Sequence, residues 1–199
     1  MPPNRITRSR RVRRALLVGA LVAGLAIGPV ACGGSDGGGE SAVDPQADAA
    51  VLNEILGRQL AAVDAYDEVL PALRGADLAI ARHFRAQEQE HVDGTTKTLR
   101  GLEEPAEPAA ETIETGDLSS RRDALDFLYR MESATIDAEL NAVGRLTVGW
   151  TRPLIAAMAA NQAQRLVLIR RALGANSLQT VPEAFEAGET SAPEEMIGR

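Results

Sequence analysis

"FRAQEQEHVD", residues 84 to 93, decides how this chain folds. At 3.6 residues per turn, Phe84, Glu88, His91 and Thr95 share one side of a helix, and Leu78, Ala81 and Leu99 extend it. The face that should meet a core therefore carries a carboxylate and an imidazole. A buried carboxylate without a partner is costly, so this helix needs neighbours that bring polar groups to the same depth.

The flanking sequence supplies them. Upstream, Leu52, Ile55, Leu56, Leu60, Val63, Tyr66, Leu70 and Leu73 recur at helical spacing, predicting a helix from Asp44–Pro45, an N-cap followed by proline, to about Arg74. Pro71 should bend or fray its last turn. Gly75 breaks the chain, and Asp77 is expected to cap the second helix, which runs to about Leu102 with a local irregularity at Gly94. Residues 103–118 read as a surface connection. Ser119 or Ser120 opens a third helix with Leu125, Leu128, Glu132, Ile136, Glu139, Val143 and Leu146 on one side. "GWTRP" turns the chain into a fourth, from about Thr151 to Leu173, ended by Gly174.

A short joint, a long one and a short one give an all-α, four-helix bundle whose chain crosses over between the second and third helices. Each helix places a polar residue on its inner stripe: Gln59, then Glu88 and His91, then Glu132 with Glu139, then Asn161 and Gln164. The fourth helix has a rival stripe through Ile155, Met158, Leu166, Ile169 and Leu173 that would turn Asn161 and Gln164 to the flank. Glu139 lies about 10 Å along the axis from Glu132 and is expected to pair with an arginine such as Arg165 or to be partly solvated. Tyr66 reads as a core aromatic with a wet hydroxyl or as a donor to the polar layer. Trp150 should cap the bundle. Arg121, Arg122, Arg170 and Arg171 read as solvated charges, and His83 as a surface histidine.

The pattern over residues 51–174 resembles the ferritin-like di-iron family, in which the first and third helices each give a Glu, and the second and fourth each give Glu-x-x-His, around two metals. "EQEH" (Glu88–His91) matches one Glu-x-x-His, and Glu132 in "RMESATIDAE" matches the third-helix carboxylate. "LNEILGRQLAAVDAY" resembles the first helix, Tyr66 included, with Gln59 at its ligand position; Asn161 and Gln164 match the fourth-helix slots. "PEAF" (residues 182–185) resembles the way secreted members close. The resemblance implies a degenerate site. Either Glu88, His91 and Glu132 hold a single divalent metal (Fe, Mn or Zn) in a redox or metal-handling protein, or the polar positions form a hydrogen-bonded layer with a binding or structural role and no catalytic residues.

Outside the bundle, Arg5 to Arg14 form a basic stretch and Ala15–Val30 an apolar one, ending before Cys32, the only cysteine. "GPVACGG" looks like a lipoprotein cleavage site, which predicts a signal peptide over 1–31, lipidation at Cys32, a flexible tether over 32–43, and a polar tail over 175–199 after the bundle of 44–174. "RRALLV" resembles a twin-arginine export signal. The expected location is the outer face of the cell membrane. Lys and Arg number 21 against 28 Asp and Glu; the leader removes six arginines and no acid, leaving −13. That excludes nucleic acid as a partner and leaves the membrane anchor, an unspecified protein partner and self-association.

Overall fold

The computed structural model describes residues 42–181. The leader, Cys32, most of the tether, and "PEAF" lie outside the described residues. Helix α1 spans Pro45–Val69, α2 Gly75–Gly101, α3 Arg121–Arg145 and α4 Arg152–Leu173, with no strand among the described residues. The expected four-helix bundle is the fold. The antiparallel pairs α1/α2 and α3/α4 pack most extensively, and α1 also lies against α3.

Local chemistry sets the ends. Asp44 caps α1, its Oδ1 accepting from the Gln46 and Ala47 amides at 3.1 and 3.0 Å. The first helix stops at Val69, earlier than the spacing suggested, and Leu70–Ala72 tighten into a 3-10 turn around Pro71. Asp77 does not cap α2, which begins at Gly75; it sits in the first turn and binds Arg121 Nε at 2.6 Å. Arg121, exposed as expected, also donates to the Ala172 carbonyl and so links three helices. Ser120 and Asp123 close a reciprocal capping box at the start of α3. Gly174, at φ 99°, ends α4 in the left-handed conformation that glycine adopts without strain.

Gly94 leaves α2 unbroken. A Cβ there would lie 3.1 Å from Met158 Cε, so the glycine serves the close approach of α4. Gly57 meets a tighter constraint: its Cβ would fall 2.1 Å from the Ala109 carbonyl oxygen. The crossover presses on α1 there. Asn53 fastens it, the backbone carbonyl accepting from Ala109 N, and the side chain bonding Glu107 N and the Pro105 carbonyl. At the bundle's end, buried Asp48 accepts from Thr147 N, Thr147 Oγ1 and Val148 N, tying α1 to the α3–α4 turn. Trp150 covers Gly101 there but stays 55% exposed.

The apolar interior falls into two clusters. One gathers Tyr66, Phe84, Leu128, Tyr129 and Leu166, and the other Leu52, Ile55, Leu99, Ile155 and Met158. Gln59, Glu88, Glu139 and Gln162 fall in sequence where each helix passes from one cluster to the other.

Candidate functional site

The interior polar residues form two adjoining groups. In the first, α2 delivers Glu88, α3 delivers Glu132 and α1 delivers Tyr66, all essentially without solvent exposure. Between the two carboxylates stands Arg165 of α4. Its Nη1 lies 2.7 Å from Glu88 Oε2 and 3.0 Å from Glu132 Oε1, and the residue is 2% exposed. Asn161 holds Arg165 Nη2 through Oδ1 at 2.9 Å, and the guanidinium rests over the Phe84 ring. Tyr66 donates its hydroxyl to Glu132 Oε1. Its hydroxyl is therefore dry and bonded.

The α4 register explains this arrangement. Ile155, Met158, Gln162, Arg165, Leu166 and Ile169 are buried, while Gln164 is exposed and Asn161 half-buried. The rival apolar stripe is the one the structure uses. Gln162 and Arg165 thus take the inward positions, three residues apart, that had been assigned to Asn161 and Gln164. Gln162 reaches toward Glu88 Oε2 at 3.5 Å. The stripe through Ile155, Met158, Leu166 and Ile169 was readable in sequence, and Arg165 beside it was expected to meet Glu139; its partners are Glu88 and Glu132 instead.

His91 is half-buried, its Nδ1 3.5 Å from Glu88 Oε2. That is an ion-pair distance for a protonated imidazole, and Nδ1 lacks a hydrogen-bond partner. Glu88 Oε1 and Glu132 Oε2 likewise have none. Burial raises the carboxyl pKa of Glu88, but His91 and Arg165 outweigh it and hold the group below the usual range. Burial dominates at Glu132 and raises it, with the charge of Glu88 adding and Arg165 opposing. Burial by itself lowers the Arg165 pKa, yet the two carboxylates raise it on balance, so the guanidinium stays cationic.

The second group contains Gln59, Thr95, Met158 and Glu139. Thr95 Oγ1 donates to Gln59 Oε1 at 2.9 Å, and Gln59 Nε2 points at Met158 Sδ at 3.4 Å. Glu139 is not paired with Arg165 and is not solvated. It is 0% exposed, and both carboxyl oxygens lack a partner within hydrogen-bonding geometry. Burial pushes its pKa up to about 9, the Glu88 charge adding to the effect and the nearby Gln59 amide moderating it. A neutral carboxylic acid is the form that suits such a place.

Beyond these groups, Arg170 is buried rather than solvated, its Nη2 donating to Tyr129 Oη at 2.6 Å with the guanidinium over that ring. His83 is exposed, as its position off the stripe implied.

As placed, these residues do not fit a two-metal centre. A fixed positive charge lies where the carboxylates converge and would repel a divalent cation. Among the described residues, no group of three or more His, Cys, Asp and Glu side chains is arranged to hold a metal ion. The two inward α4 positions carry an amide and a guanidinium in place of a carboxylate and an imidazole.

Comparison with known proteins settles the family. Among curated proteins none matches the sequence. A conserved hypothetical protein from Mycobacterium tuberculosis superposes with a TM-score of 0.59 at 21% identity, covering 65% of this chain and 99% of the other. A ferritin-like, di-iron-carboxylate protein from Bacillus anthracis superposes with a TM-score of 0.52 at 16% identity, covering 65% and 97%. At such identities these likenesses establish the fold. The family model described as a ferritin-like domain matches residues 47–175, well over half of the sequence, and the chain belongs to that ferritin-like family.

Proposed function

We propose that this is an exported ferritin-like domain, lipid-anchored through Cys32, whose inter-helix site is organised by an arginine instead of metal and which serves a binding or structural role without redox chemistry. The observation that carries this reading is Arg165, bonded to both Glu88 and Glu132 in a dry interior. A guanidinium answers two carboxylates in a fixed geometry and neither cycles between oxidation states nor opens a coordination position. The leader and the small residues before Cys32 support export and anchoring, and "RRALLV" is compatible with a route that carries folded proteins. The net charge of −13 on the exported part disfavours nucleic acid.

A second reading is favoured by the unpartnered Glu88 Oε1, Glu132 Oε2 and His91 Nδ1: Arg165 swings aside and these three side chains take one Fe, Mn or Zn ion. Purified protein supplied with each ion, then desalted, separates the two. The first reading expects no stoichiometric metal and a melting temperature indifferent to all three. One ion per chain, lost in His91→Ala, establishes the second. Palmitate labelling that disappears in Cys32→Ala tests the anchor.

A further inference from the structure

Away from the polar interior, a half-open cleft of about 400 Å³ lies between the crossover and the outer faces of α1 and α3. That volume is within the range of small-molecule sites. Its floor is apolar: Phe127 and Met131 of α3, both nearly buried, with Ala134 beside them and Ile113 of the crossover as a wall.

Arg58 is already engaged, Nη1 with Glu111 at 2.8 Å and Nε with Thr135 Oγ1 at 3.3 Å. Arg130 and Glu114 also line the cleft, yet among the described residues neither side chain makes an ion pair or a hydrogen bond. Two opposite, unused charges thus border one apolar floor. A monoanion would answer only Arg130 and face Glu114; a cation would do the reverse. A molecule carrying both charges and an apolar side chain answers all three features.

We propose that this cleft binds a small zwitterion with an apolar side chain, of the chemical class of a free apolar α-amino acid, its carboxylate toward Arg130, its ammonium toward Glu114 and its side chain on Phe127 and Met131. This site is independent of the interior site and of whether that site takes metal.

The test is an NMR titration of the isotope-labelled protein with L-leucine, N-acetyl-L-leucine, which lacks the ammonium, and L-leucinamide, which lacks the carboxylate. Saturable shifts of the amides of residues 113–114 and 130–134 are expected with L-leucine, each blocked form binding about tenfold more weakly. In Arg130→Gln, L-leucine should lose its advantage over L-leucinamide; in Glu114→Gln it should lose its advantage over N-acetyl-L-leucine. Ala134→Phe should fill the cleft and abolish the shifts. The first two variants alter exposed side chains, so they decide the matter even if the third fails to fold. Absence of saturable shifts with L-leucine overturns the proposal. So does equal binding of the blocked forms, or a preference unchanged by either exposed variant.

Discussion

The two interior polar groups meet the same difficulty in different ways. At the first, Glu88 and Glu132 are buried against a permanent cation, Arg165, with Tyr66 donating to Glu132 and Asn161 accepting from Arg165. At the second, Glu139 is buried with no cation of its own, and a proton neutralises it. The contrast teaches that burial pushes both carboxyls of one helix, α3, toward the neutral form, and that a guanidinium in direct contact opposes it at Glu132 while Glu139 has no such contact.

Removing that guanidinium should break the contrast most strongly. Arg165→Ala leaves two buried carboxylates facing each other, and urea denaturation should show a loss of about 3–5 kcal/mol. Adding Glu88→Gln to that variant should restore part of it, because the repulsion then disappears.

Glu139 offers the converse experiment. Its folded-state pKa of about 9 stands above the ordinary carboxyl value of 4.5. The stabilising contribution is complete below the ordinary value and is lost as pH rises through the interval up to about 9. Stability should thus fall between pH 5 and 9. Glu139→Gln, which has no proton to lose, should flatten that slope and stabilise the fold by about 2 kcal/mol near neutral pH. A steeper slope in the variant would contradict the protonated state.

Gly57→Ala tests a region with neither charge. The new methyl would collide with the Ala109 carbonyl, whose backbone cannot simply rotate away. A loss of about 1–2 kcal/mol is expected, with faster hydrogen exchange at the Ala109 amide. The smallest effect should come from Tyr66→Phe, about 1 kcal/mol, since Glu132 keeps Arg165 when the hydroxyl is gone.

Much of this was legible in the sequence. The stripe Phe84, Glu88, Thr95, Leu99 is the buried face of α2, and Leu125, Leu128, Glu132, Ile136 and Glu139 are buried on α3, because periodicity follows directly from helix geometry. Joint lengths carried the topology. What stayed hidden was which of two α4 stripes turns inward: the family resemblance pointed to Asn161 and Gln164, while the more apolar stripe through Ile155, Met158, Leu166 and Ile169 is the one buried. Arg170 was read as a surface charge and Arg165 as a partner for Glu139 rather than for Glu88 and Glu132: only the buried acceptors and aromatic rings supplied by other helices make the burial of these arginines tolerable. Asp48 was invisible because its partners lie about a hundred residues away in the α3–α4 turn.

A cation that belongs to the polypeptide behaves unlike one borrowed from solution. Arg165 arrives with α4 at synthesis, in fixed ratio to the acids it serves, and neither chelators nor dilution can strip it out. Its departure requires bending the helix backbone or swinging the whole buried side chain out from between Glu88 and Glu132, while the arginine itself stays bound to the chain.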